Sequence, residues 1–179
     1  MSLPGLAVLD QYKTGGFAPG YLPAARTFYS PVDDVHGALL EVVRSASSSL
    51  TIAMYGFDDD ELAEVIKAKL ADPNIVVQLT LDSSQAGGVH EREILAHEGY
   101  PASSVAIGRS EHGQIMHLKL MSIDGLYRVS GSTNWSHSGE ALQDNELTIV
   151  HDPVMAAEAR TRIEAIHYHM LRAAAKVAA

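Results

Sequence analysis

The stretch from His117 to Asn134, HLKLMSIDGLYRVSGSTN, constrains this chain most. Asp124-Gly125 is a strong two-residue hairpin signal, because both residues tolerate positive φ. The flanks IMHLKLMSI and LYRVSGS are rich in β-formers and read as two antiparallel strands. With Asp124 and Gly125 as the loop, Ile123 faces Leu126, Met121 faces Arg128, Lys119 faces Ser130 and His117 faces Ser132. Side chains alternate along a strand and paired residues share a face. His117, Lys119, Ser130 and Ser132 are therefore expected on one face, and Asn134 has the same parity. Leu118, Leu120 and Val129 are expected on the other. A basic cluster backed by an apolar face is a poor core and a good anion site.

Apolar strands alternate with amphipathic helices through the rest of the chain, the pattern of an α/β fold with helices covering a sheet. Residues 1–24 hold Gly15-Gly16, Pro19-Gly20 and Pro23 and read as an irregular arm before a single domain over 25–179. Ala25 to Tyr29 reads as a strand, 33–47 as a helix and Ser49 to Phe57 as a strand buried on both sides. The run Asp58-Asp59-Asp60-Glu61 opens a helix to Leu70. Helix capping explains these acids more simply than a metal site does. Val76 to Leu81 is a strand ending at Asp82, beside Ser83 and Ser84. Strand ends in open α/β sheets are where ligands bind, so these three residues are candidates for the cleft or for a cap. A helix is expected within Ala86 to Glu98, carrying His90 and His97 on its surface. Val105 to Ile107 is a strand, 109–114 a polar loop, 136–144 a polar loop and Glu146 to Val150 a strand. Asp152-Pro153 starts a long helix to Val177. His167 and His169, two apart on that helix, do not share a face and do not form a chelating pair.

The spacing His-x-Lys-(x)4-Asp-(x)6-Gly-Ser-x-Asn, filled by His117, Lys119, Asp124, Gly131, Ser132 and Asn134, resembles the signature of the phospholipase D superfamily. At average residue usage a chance match at these positions is rare, on the order of 10^-6. Trp135-Ser136 and the strand, Ser-Pro turn and helix at the start of the domain are also similar to that family. The resemblance covers most of Ala25 to Leu171. It implies a central mixed sheet with helices on both faces and the motif strands near its middle.

Phosphodiester cleavage needs a nucleophile, an acid for the leaving oxygen and donors for the phosphoryl oxygens. His117 is the candidate nucleophile, with Lys119, Ser132 and Asn134 as donors. Asp124 and Gly131 are assigned to structural support. Arg109, His112 and Trp135 are candidate substrate contacts. Family members place a glutamate after the motif to orient a histidine, and Glu146 matches that position. In the superfamily the working site pairs two motifs, and this chain has one His-x-Lys. The resemblance therefore implies a homodimer with one His117 as nucleophile and the other as general acid. It also implies a phosphohistidine intermediate, with no metal and no cofactor.

Short single-motif members resemble nucleases, so nucleic acid is the favoured substrate. A phospholipase or transphosphatidylase is the second reading, and a non-catalytic phosphate-binding module the third. A net charge of −9 argues against tight binding of long nucleic acid, which needs clustered Lys and Arg. The absence of cysteine excludes disulfides. No apolar run approaches the length of a transmembrane segment. The N-terminus does not read as a secretory signal, which slightly favours the cytoplasm and leaves a trimmed leader open.

Overall fold

The computed structural model describes residues 3–85 and 100–178. The helix expected within 86–98, with His90 and His97, lies outside the described residues. Among the described residues, nine strands and four α-helices are ordered as follows: β1 Ala25–Ser30, α1 Val35–Arg44, β2 Ser49–Met54, β3 Phe57–Asp58, α2 Asp60–Ala71, β4 Val76–Asp82, β5 Val105–Gly108, β6 Lys119–Ile123, β7 Tyr127–Gly131, β8 Trp135–Ser136, α3 His137–Ala141, β9 Asn145–His151 and α4 Pro153–Ala178. Seven strands form a mixed sheet in the order β1-β9-β7-β6-β2-β4-β5. The β2-β4 and β4-β5 pairs are parallel and the remaining neighbours antiparallel. The motif strands β6 and β7 lie near the middle, as expected. A parallel two-stranded ribbon, β3-β8, stands apart.

Alternation along β2 explains why both faces of this sheet are covered. Leu50, Ile52 and Met54 join the larger core, with Leu39 and Val43 of α1 and Leu62 and Ile66 of α2. Ala53 points the other way. It shares a second core with Leu120 and with Ala159, Ile163 and Ile166 of α4. Small Ala53 lets the long helix lie close. Helix ends match the sequence chemistry. Asp34 caps α1 by accepting from Gly37 N, Asp59 caps α2 through Leu62 N, and Asp152 accepts from Val154 N and Met155 N. Asp33 instead leaves the helix and bonds Lys13 Nζ, Thr14 N and Tyr29 N.

Several boundaries differ from the sequence expectation. The segment before β1 holds a 3-10 helix, Leu6–Tyr12, whose Leu6 and Leu9 are buried in the larger core with Leu3. It packs on the domain because those leucines repeat at helical spacing. The expected strand to Phe57 breaks after Met54, and Phe57 enters the small ribbon. The expected loop 136–144 contains α3, with Ser136 as its N-cap. His167 is wholly buried between Thr80 Oγ1 at 2.8 Å and Ser103 O at 2.7 Å, a link between α4 and the sheet. No helix among the described residues is long and apolar enough to cross a membrane.

Candidate active site

The motif hairpin is shifted by one residue from the expected pairing. Ile123 pairs with Tyr127, Met121 with Val129 and Leu120 with Ser130. Asp124 and Gly125 do take positive φ, 54° and 66°, and Leu126 N donates to Ile123 O. Leu126 is then an extra, unpaired residue, which slips β7 by one and flips every side chain on it. Val129 therefore shares a face with Lys119, and Ser130 shares a face with Leu120. This corrects the expected grouping of Lys119 with Ser130. Lys119 stands in line with apolar Met121 and Ile123, which explains why it is only 8% exposed.

The Asp124 carboxylate fastens the hairpin to the start of β2. It accepts from the backbone N–H groups of Ser47, Ser48 and Ser49 and from the hydroxyls of Ser47 and Ser48. Burial alone would raise its pKa, but these donors hold it below the ordinary carboxylate range. Gly131 meets a different demand. A Cβ there would lie 1.9 Å from Glu146 O, so only glycine lets β7 end against β9.

At the open end of β6, Lys119 Nζ lies 3.1 Å from His117 Nε2. Lys119 also sits over the Tyr55 ring, 4.9 Å from its centroid, and Tyr55 packs on His117 with ring centroids 4.6 Å apart. Burial lowers the Lys119 pKa. His117 itself is exposed. An ammonium only donates, so Nε2 acts as the acceptor and carries the lone pair.

Tyr55-Gly56 joins this pair to Asn134. Trp135 N donates to Gly56 O, and a Cβ on Gly56 would meet Asn134 Cγ at 2.9 Å. Asn134 lines a polar recess of about 360 Å³ with Asp58, Gln85, Ser136 and Ser138. Its Oδ1 is buried without a hydrogen-bond partner among the described residues.

Ser132 is tied into the fold. It donates to Asn145 Oδ1 at 2.9 Å and accepts from Glu146 N at 3.0 Å. Glu146 is exposed, and its Oε1 accepts from Thr148 Oγ1. Within one chain no hydrogen bond joins Glu146 to His117 among the described residues. Arg109 and His112 are exposed on their loop and likewise make no described bond to His117 or Lys119. Trp135 requires a correction. It is 2% exposed and packs edge-on against Phe57, centroids 5.6 Å apart, so it is a core residue and not a substrate contact.

Asp82 was legible only as a strand end. Its carboxylate accepts from Met116 N, directly before His117, and from Ser84 N and Oγ. Burial pushes its pKa up, but those bonds and the nearby Arg109 charge bring it below the ordinary range. Asp82 thus anchors the segment that carries His117. Tyr55 had no signal in the sequence, because nothing in it marks a ring that will pack against a histidine remote in the chain.

Residues 39–167 match the family described as cardiolipin synthase, PLD-like domain. The chain belongs to the phospholipase D superfamily. The mitochondrial cardiolipin hydrolase of Chlamydomonas reinhardtii is 23% identical over 139 residues, covering 78% of this chain and 60% of the relative. The chain thus spans about 60% of the length of the curated relative it matches. The phospholipase D family member Nuc from Salmonella typhimurium superposes with a TM-score of 0.66 at 17% identity, over 82% of this chain and 94% of that one. NucT from Helicobacter pylori gives 0.66 at 25% identity, over 79% and 94%. The superfamily fold in these two is nearly the whole of each solved chain.

Proposed function

We propose that this chain is a metal-independent phosphodiesterase that hydrolyses nucleic acid through a phosphohistidine intermediate, at a site shared by two subunits. The contact between Lys119 Nζ and His117 Nε2 carries the reading, because it sets a lone-pair nitrogen beside a buried cation at an exposed strand end. In the first step His117 Nε2 attacks phosphorus. A P–N bond forms as the P–O bond to the leaving group breaks, and the partner's His117 gives a proton to the leaving oxygen. Water then attacks phosphorus, passes its proton to that second histidine and releases His117. Lys119 Nζ and the Asn134 amide N–H donate to the non-bridging oxygens and stabilise their charge. Glu146 is proposed to orient a histidine across the two-fold axis, and Arg109 and His112 to meet the flanking phosphates.

The polar recess beside Asn134 favours a nucleic-acid strand over an acyl chain. A specific observation supports phospholipid as the second reading. Ile115, two residues before His117, is 44% exposed, and a curated relative is a cardiolipin hydrolase. The deciding experiment is a substrate panel in EDTA: single-stranded DNA, duplex DNA, RNA, an aryl phosphodiester and cardiolipin vesicles. Cleavage of the nucleic acids and the aryl ester is expected. Cleavage of cardiolipin alone selects the second reading, and activity only with an added divalent ion overturns the mechanism.

A further inference from the structure

Away from the His117 pair, three side chains distant in sequence converge beside α1. His36 Nδ1 lies 2.6 Å from Glu140 Oε2 and 2.9 Å from Asp59 Oδ2. The ligand atoms of all three lie within 4.8 Å of one another. The carboxylates are deeply buried, with side-chain exposures of 7% for Asp59 and 1% for Glu140. Asp59 uses Oδ1 to cap α2, which leaves Oδ2 for the cluster. Glu140 Oε1 is buried with no hydrogen-bond partner among the described residues. A buried, unpaired carboxylate oxygen is costly unless something positive reaches it. On the far side of the ring, His36 Nε2 lies 3.3 Å from Glu61 Oε2, and Glu61 is held by Arg44. At 2.6 Å the Nδ1 contact with Glu140 holds a proton that a bound cation would replace, and a ring proton kept on Nε2 would then leave the Nδ1 lone pair to the cation, as in the carboxylate–histidine–metal arrangement of many metal sites.

We propose that His36 Nδ1, Asp59 and Glu140 form a divalent-cation site, with zinc the best-fitting ion. With a cation in place, one neutral imidazole and two carboxylates carry two negative charges, which match the ion; without one, burial and the neighbouring Asp59 push the Glu140 pKa up to about 8. Calcium and magnesium prefer shells of oxygen alone, whereas zinc takes nitrogen with carboxylate oxygen. Ligands at about 2.0 Å in a tetrahedron stand about 3.3 Å apart, so the His36 gaps need to open by roughly half an ångström. His36 is the most exposed of the three and has room for that movement. The fourth position falls to water or to the free Glu140 oxygen. Bound metal would pin α1, the start of α2 and α3, the helix that leaves the Asn134 turn. Its role is to hold the shoulder of the cleft, with no part in bond breaking.

The test uses the full chain stripped in EDTA and desalted. Zinc is titrated in competition with a chromophoric chelator, and cobalt(II) is added as a spectroscopic probe. One zinc per chain, a raised Tm and intense cobalt d–d bands of low coordination number are expected. His36→Gln and Glu140→Gln should each weaken zinc by about a hundredfold or more, since even loss of an outer partner costs 10–100-fold. Asp59→Asn should also weaken it while leaving α2 capped, because Asn caps as well as Asp. Absence of zinc binding, or wild-type affinity in either His36→Gln or Glu140→Gln, overturns the site. Should a variant lose its native circular dichroism, the wild-type cobalt spectrum decides: weak octahedral bands overturn the proposal. Zinc is read by binding, so this site and the metal-independent cleft chemistry stand or fall separately.

Discussion

Lys119 Nζ sits 3.1 Å from His117 Nε2, while the whole of Lys119 is nearly buried. A cation held out of water exerts its charge at close range, because less solvent screens it. If His117 attacks phosphorus, His117→Asn should abolish turnover of an aryl phosphodiester. Lys119→Ala should lower kcat by about 10^2 to 10^3, the scale for loss of an oxyanion donor. The His117→Asn variant should keep the wild-type Tm within a few degrees, since His117 is exposed. Wild-type kcat in Lys119→Ala would remove lysine from the mechanism.

Asp124 links the hairpin turn to the serines that open β2. Its folded pKa is lowered from an ordinary 3.8, so the ionised form is the one that stabilises. That stability is present above the unfolded pKa and is lost as pH falls through the folded value. Asp124→Ala should therefore destabilise by about 2 kcal/mol at pH 7, the scale for hydrogen bonds to a charged group. The gap to wild type should shrink as pH falls below about 4. Urea unfolding of both proteins at pH 7 and pH 3 measures this, and a gap that grows in acid would refute it.

Asp82 anchors the segment before the proposed nucleophile through Met116 N. Asp82→Ala leaves that N–H and Ser84 without their partner. It should cost about 2–3 kcal/mol of stability and lower kcat more than it raises KM. Asp82→Asn keeps one acceptor oxygen and should recover part of both. Steady-state kinetics and thermal melts on the two variants check this. An unchanged kcat in a folded Asp82→Ala protein would mean that His117 is positioned without it.

The sequence carried the fold well where a local signal was strong. The β-rich flanks of Asp124-Gly125 gave the hairpin, and Asp34, Asp59 and Asp152 gave three helix starts. It carried the register poorly, because a turn sequence does not say whether Leu126 pairs or is skipped, and one residue reverses a face. Trp135 failed for a related reason. A large aromatic beside the motif suits an interface, yet Phe57, remote in sequence and its partner in the β3-β8 ribbon, buries it. His36, Asp59 and Glu140 lie on three separate helices or helix starts, and no spacing rule joins them. The motif residues were legible one by one, while Tyr55 and Asp82, which hold them in place, emerged only from packing.

The dimer makes the sharpest demand. One chain carries one His-x-Lys, while the proposed steps need two imidazoles. A two-fold axis provides both, since an isologous interface brings the same patch from each subunit together. The open end of β6, with Ser132 and Asn134, is expected near that axis. Trp135 contributes only by supporting it from within. Mixing inactive His117→Asn with inactive Lys119→Ala subunits gives shared sites that still lack one histidine and one lysine. Activity should therefore stay well below wild type after the subunits exchange. Analytical ultracentrifugation should find a dimer at assay concentration. A strictly monomeric chain that still turns over phosphodiesters would refute the shared site.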